Sequence, residues 1–167
     1  MNTTSPVSQP QFRLALPRGV TGFRDRHSES LPETDPRAFA TICYEAARMT
    51  GGRAGAITRP GVTPNFHSAV IILGREQVML LGHRHAPLLA TAAAPRSEGA
   101  PIVFVDHSHI HAALSQVPTA LFRMLTLREL QAPLNLIDCI ALDHAELEQI
   151  SHWKPGTVGE LVFNYWD

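Results

Sequence analysis

The sequence is poor in several residue types, and each shortage removes a class of protein. Two cysteines in 167 residues, Cys43 and Cys139, cannot build a disulfide framework, and both read as reduced, small apolar residues of a helix and a strand. Aromatic residues make up only 7 % and charged residues 17 % of the chain. Basic and acidic side chains number 14 and 15, a net charge of −1, so no overall positive field exists to hold a nucleic-acid backbone or an anionic membrane. No apolar run reaches the roughly 18 residues of a membrane span. The first residues lack the charged and apolar regions of a secretory leader, and the expected location is cytoplasmic. Internal repeats and heptads are missing, which excludes solenoids and coiled coils.

Hydrophobic residues amount to 44 %, enough to bury a core, and the length suits one domain. Residues 1–31, rich in proline and serine, read as a loosely ordered N-terminal arm carrying Arg18, Arg24 and Arg26, and 32–167 as a single domain. The first strong element is a helix from Pro36 to Thr50, with Asp35 as its cap, proline at its first position and Gly51-Gly52 as its stop. Its apolar stripe is Phe39, Ile42, Cys43 and Ala46, spaced to pack one face on a sheet. Strands are expected at Ala54 to Thr58, Phe66 to Leu73, Gln77 to Leu81 and Ile102 to Val105. The Gly74-Arg75-Glu76 stretch turns the middle pair into a hairpin. Val70 to Leu73 and Val78 to Leu81 are apolar at consecutive positions, which predicts central strands covered on both faces. Leu88 to Ala94 fits a helix or a strand. Leu134 to Ile140 is expected as a strand, and Thr126, Asp143 and Thr157, each followed three residues later by glutamate, as helix starts. The fold class is α+β, a mostly antiparallel central sheet of about four to six strands with packed helices and a helical C-terminal segment.

Nine histidines stand out. Five of them lie in His83-Arg84-His85 and His107-Ser108-His109-Ile110-His111. Imidazole is the commonest metal ligand and a proton carrier near neutral pH. His83 and His85 share one side of an extended strand. His107 and His111 face the same way both in a strand and, as an i, i+4 pair, in a helix capped by Asp106. If the two faces met, His83, His85, His107 and His111, with Asp106 as an oxygen ligand, would hold zinc or another divalent metal. The spacing matches no established motif, and solvated or backbone-bonded histidines are the favoured reading of it.

No nucleophile elbow, phosphate loop or carboxylate pair is present, and Cys43 lies on a buried stripe where a thiolate is disfavoured. These features lean away from an enzyme, and no cofactor is expected. The C-terminal segment from His152 to Asp167 holds both tryptophans, and residue types of this kind dominate protein interfaces. On a helical wheel Val158, Leu161, Val162, Tyr165 and Trp166 form a core stripe and Phe163 projects to the polar side. Trp153 and Phe163 are therefore the candidate partner-binding residues. Two readings result: a noncatalytic cytosolic protein-binding module, of the kind exemplified by inhibitors or immunity proteins that neutralise a bacterial toxin, and a small metal-dependent enzyme or metal-binding protein built on the histidines.

Overall fold

The computed structural model describes residues 13–118 and 122–167. The elements follow in chain order: β1 (Leu14–Ala15), α1 (Pro36–Thr50), β2 (Arg53–Thr58), β3 (Phe66–Leu73), β4 (Glu76–His83), β5 (Leu88–Ala93), α2 (Ser108–Gln116), β6 (Arg123–Met124), α3 (Leu127–Leu130), a 3-10 turn (Leu134–Leu136), β7 (Ile137–Asp138), α4 (His144–Trp153) and α5 (Val158–Val162). The fold is α+β. Its main sheet has the order β2-β3-β4-β5-β6, antiparallel except for the last pair, and β1 pairs in parallel with β7.

Local chemistry explains why α1 forms where it does. The Asp35 carboxylate accepts from the Arg37 amide at 2.9 Å, and Pro36 occupies a position where a missing N–H costs nothing. Gly51 closes the helix at φ +71°, its amide turned back to the Arg48 carbonyl, in the left-handed region that glycine enters without strain. Phe39, Ile42, Cys43, Ala46 and Ala47 are buried, while Arg37, Thr41, Tyr44 and Arg48 stay exposed.

β3 and β4 are joined by the tight Gly74-Arg75 turn, with Leu73 opposite Glu76. Side chains alternate between two cores, as the pleat requires. Ala69, Ile71, Val78, Leu80 and Leu89 face α1 and α2. Phe66, Met79, Leu81, Ala90 and Ala92 face the layer that holds Leu130, Leu161 and Val162. β4 and β5 are covered on both sides, whereas on β3 Val70, Ile72 and Leu73 stay half-buried, so full cover holds for Val78 to Leu81 and not for Val70 to Leu73. Close packing across one face depends on Gly82, where a Cβ would collide with the Phe39 ring.

The structure settles one open element and changes others. Of the two forms open to Leu88 to Ala94 the strand is the one present, over Leu88–Ala93, where pairing with β4 uses its backbone groups. Ile102 to Val105 makes only a single bridge, Phe104 to Ala92, flanked by the bonds Ala93 N to Val103 O and Val105 N to Thr91 O. Leu134 to Ile140 is a 3-10 turn followed by two paired residues, since the Asp138 carboxylate accepts from the Ile140 amide at 2.9 Å and bends the chain out of the ladder. All three expected helix starts are present. Thr126 and Glu129 cap reciprocally, Glu146 reaches back to the Asp143 amide, and Thr157 accepts from the Glu160 amide while the Glu160 carboxylate takes the Gly156 amide.

The expected N-terminal arm is built into the body from Leu14 onward, and residues 1–12 lie outside the described residues. Leu14, Leu16, Val20 and Thr21 are all buried. The holding group is Glu146, fully buried, whose carboxylate accepts from the Gly19 amide (2.8 Å), the Thr21 amide (3.1 Å) and the Thr21 hydroxyl (2.8 Å). Arg18 pairs with Asp143 at 3.0 Å. Asp25 accepts from the His144 and Ala145 amides, completing the start of α4.

Two substitutions test this packing. Gly82→Ala should lower stability by roughly 1–3 kcal/mol in urea unfolding, because the Phe39 ring has no room to retreat. Glu146→Gln presents an NH2 group to backbone donors and should cost about 2–4 kcal/mol, with faster proteolysis near Arg18 and Arg24.

Candidate functional site

The histidine clusters are set by β4, whose first residue is Glu76 and whose last is His83. His83 is completely buried. Its Nδ1 accepts from the His85 amide (2.9 Å) and the Ala86 amide (3.0 Å), which forces the proton onto Nε2, and Nε2–H donates to the Val20 carbonyl at 2.7 Å. Burial pushes its pKa down to about 3, only partly opposed by that carbonyl. Asn65 continues the junction, donating to the Val20 and Val162 carbonyls and accepting from the Asn164 amide at 3.0 Å. Asn164 in turn donates to the Thr21 and Leu161 carbonyls. Thus the end of β4, the N-terminal segment and the C-terminal segment share one buried polar network. Next to it, His85 donates through Nδ1 to the Pro32 carbonyl at 2.9 Å.

The second cluster opens α2, and the cap is His107 and not Asp106. The His107 Nδ1 accepts from the Ile110 amide (3.3 Å), and its Nε2 lies 3.2 Å from Glu76. Asp106 serves a different helix, accepting from the Leu127 amide at 2.9 Å at the start of α3. His111 sits one turn after His107. Because the Thr91 hydroxyl gives its proton to the Val105 carbonyl (2.7 Å), the His111 Nε2–H is the donor in its 3.1 Å bond to Thr91. Glu76, beside His107, and His83 are the first and last residues of β4, roughly 23 Å apart at about 3.3 Å per residue, while His111 bonds to Thr91, which stands opposite Leu80 within that strand. The structure does not gather His83, His85, His107 and His111 into one site. Among the described residues no three histidine, cysteine or acidic side chains form a metal-holding group.

Two other reactive types are shielded. Burial pushes the Cys43 thiol up to about 12, and it raises the Cys139 thiol as well. His67 is buried against the Phe39 ring with neither ring nitrogen hydrogen-bonded. Its pKa is lowered first by burial and then by Arg84 and Arg59.

The C-terminal aromatics line an open concavity. Trp153 is 41 % exposed and stacks on Trp166, ring planes 5° apart at a centroid distance of 6.0 Å, while its Nε1–H donates to Gln149 at 3.0 Å. The helical-wheel expectation for Phe163 is corrected: only 2 % exposed, it packs edge-on against Phe66 and tilted on Phe104. The reason is that α5 ends at Val162. Phe163 has φ −111° and ψ 94°, so the wheel does not apply beyond that point. For the same reason Tyr165, placed on the core stripe by helical spacing, is 48 % exposed. Asn164 is the sequence signal for this stop, because its side chain takes the Leu161 carbonyl and competes with helix continuation. The result is an open trough of about 420 Å³, walled by Ile102, Phe104, Trp153, Pro155, Tyr165 and Trp166.

The His83 network predicts an acid response. In the folded state its pKa lies below the unfolded value near 6.5, so the unfolded chain binds more protons between the two. The stabilisation is complete above about pH 6.5 and falls as the pH drops toward 3, by about 2 kcal/mol at pH 5. His67 contributes with the same sign. Urea unfolding at pH 7.5 and 5.0 should show this loss, and His83→Gln should be less stable at neutral pH with a flatter dependence.

Comparison with protein-family models, with curated proteins and with solved structures found no match to this chain.

Proposed function

We propose that the protein is a noncatalytic protein-binding module that receives an extended apolar segment of a partner protein in the trough between α4 and the C-terminal strand-like tail. One observation carries the reading: large aromatic side chains remain open to solvent around a single concavity, Trp153 and Tyr165 on its walls with Trp166 beneath. Trp and Tyr are the residues that most often carry binding energy, and they give it when a desolvated pocket forms around them. The trough is open along its length and lined by Pro101 and Pro155 as well as aromatics. Such a surface suits the flank of an extended chain. Lys154, the only lysine in the sequence, and Glu160 both line the trough, giving it one charge of each sign. The histidines support this reading in a second way, since His83, His85, His107 and His111 each spend ring nitrogens on bonds within the fold. A toxin-neutralising inhibitor of the immunity type is the specific form of the module carried forward.

The test is affinity capture from the cells that make the protein, comparing it with a Trp153→Ser, Tyr165→Ser double variant of matched unfolding midpoint. A partner recovered by the parent chain should be reduced at least tenfold on the variant, as expected where hot-spot side chains contribute about 2 kcal/mol or more. Amide exchange in the complex should slow at 99–104 and 153–166. Equal recovery by both proteins, or protection elsewhere, overturns the assignment of the trough.

A further inference from the structure

A second surface lies on the far edge of the main sheet. Among the described residues β2 is the terminal strand of this sheet, and its one ladder is with β3. Terminal strands carry a row of backbone donors and acceptors that another chain can pair with. At the centre of β2 stand Gly55 and Ala56, within a bulge between Ala54 and Ile57, and Ala54 and Ile57 both pack toward the core beneath α1.

Along the sequence this edge is mostly basic, with Glu45 on α1 and Glu76 at the start of β4 as the acidic residues that flank it. From residue 46 to residue 75 the sequence contains Arg48, Arg53, Arg59 and Arg75 and no aspartate or glutamate. Arg53 and Arg59 bracket the strand, both exposed, and Arg75 follows in the turn beyond Ile72, the residue opposite Arg53. Among the described residues, Arg48 alone of these four makes an ion pair, with Glu45 on α1 at 2.6 Å. We infer that the β2 edge accepts an extended acidic segment of a partner protein, which adds as a sixth strand and places its carboxylates against Arg53 and Arg59. A second copy of this chain is disfavoured there. Antiparallel pairing of β2 with itself brings the arginines of both copies together, and like charges across a strand pair repel. Charge of this kind selects partners and speeds encounter, and the backbone ladder supplies the alignment.

The inference does not depend on the aromatic trough, and the test separates the two surfaces. Fluorescein-labelled octapeptides alternating valine or threonine with glutamate are titrated into the intact protein by anisotropy, beside lysine counterparts. A third set keeps the glutamates but replaces the β-formers with proline, which cannot pair along a ladder. The acidic strand peptides should bind at least tenfold more tightly than the basic ones, and the proline set should lose that binding. In an Arg53→Glu, Arg59→Glu variant the order of acidic and basic peptides should invert, and exchange protection should fall on 53–58. Both substitutions are at exposed positions, and matched unfolding midpoints verify that the fold is kept. Equal affinity for acidic and basic peptides, undiminished binding of the proline set, or protection at 153–166 in place of 53–58 overturns the inference.

Discussion

The buried Glu146 carboxylate constrains more of this molecule than any single apolar contact. A carboxylate removed from water must have its oxygens satisfied, and here the donors are the Gly19 and Thr21 amides and the Thr21 hydroxyl from a distant stretch of sequence. That requirement draws the N-terminal segment against α4. The segment then presents the Val20 carbonyl to His83 and Asn65, and the Thr21 carbonyl to Asn164. Helix, sheet and both terminal segments are joined through one continuous set of hydrogen bonds. Each member is expensive to leave unpaired in a low-dielectric interior.

This architecture decides what the chemistry-bearing residues do. A histidine with one nitrogen accepting two amides and the other donating to a carbonyl is a pin for a chain reversal, held neutral by burial. His107 is a helix cap, and Asp106 is a cap for the next helix. The polar clusters at the two ends of β4 work as terminations of secondary structure. What is left open to solvent is different in kind: an aromatic trough at the C-terminal end and an arginine-flanked strand at the sheet edge. One offers apolar area and the other offers backbone groups with charge, the two terms from which protein interfaces are assembled.

Much of the fold was legible because it rests on short-range rules. Helix α1 appears with the expected ends, since an Asp-Pro start and a glycine stop act within a few residues. The β3–β4 hairpin and the three helix starts follow for the same reason. The candidate site was less legible. Phe163 and Tyr165 exchange the environments that helical spacing assigns them, because α5 is only five residues long and Asn164 ends it. A wheel carries information only where the helix exists.

The sequence by itself determined most local elements, the α+β class and the burial of Val78 to Leu81, because propensity, capping and periodicity act between near neighbours. Tertiary structure alone decided that the two histidine clusters close different turns and do not gather into one site. It alone decided too that Leu14 to Thr21 belongs to the core and that Trp153 lies over Trp166. The burial of that N-terminal segment depends on pairing between residues more than a hundred positions apart, such as Glu146 with Gly19 and Asn164 with Thr21. No local pattern encodes such contacts, and they arise only when the buried polar groups of a folded chain have to find one another.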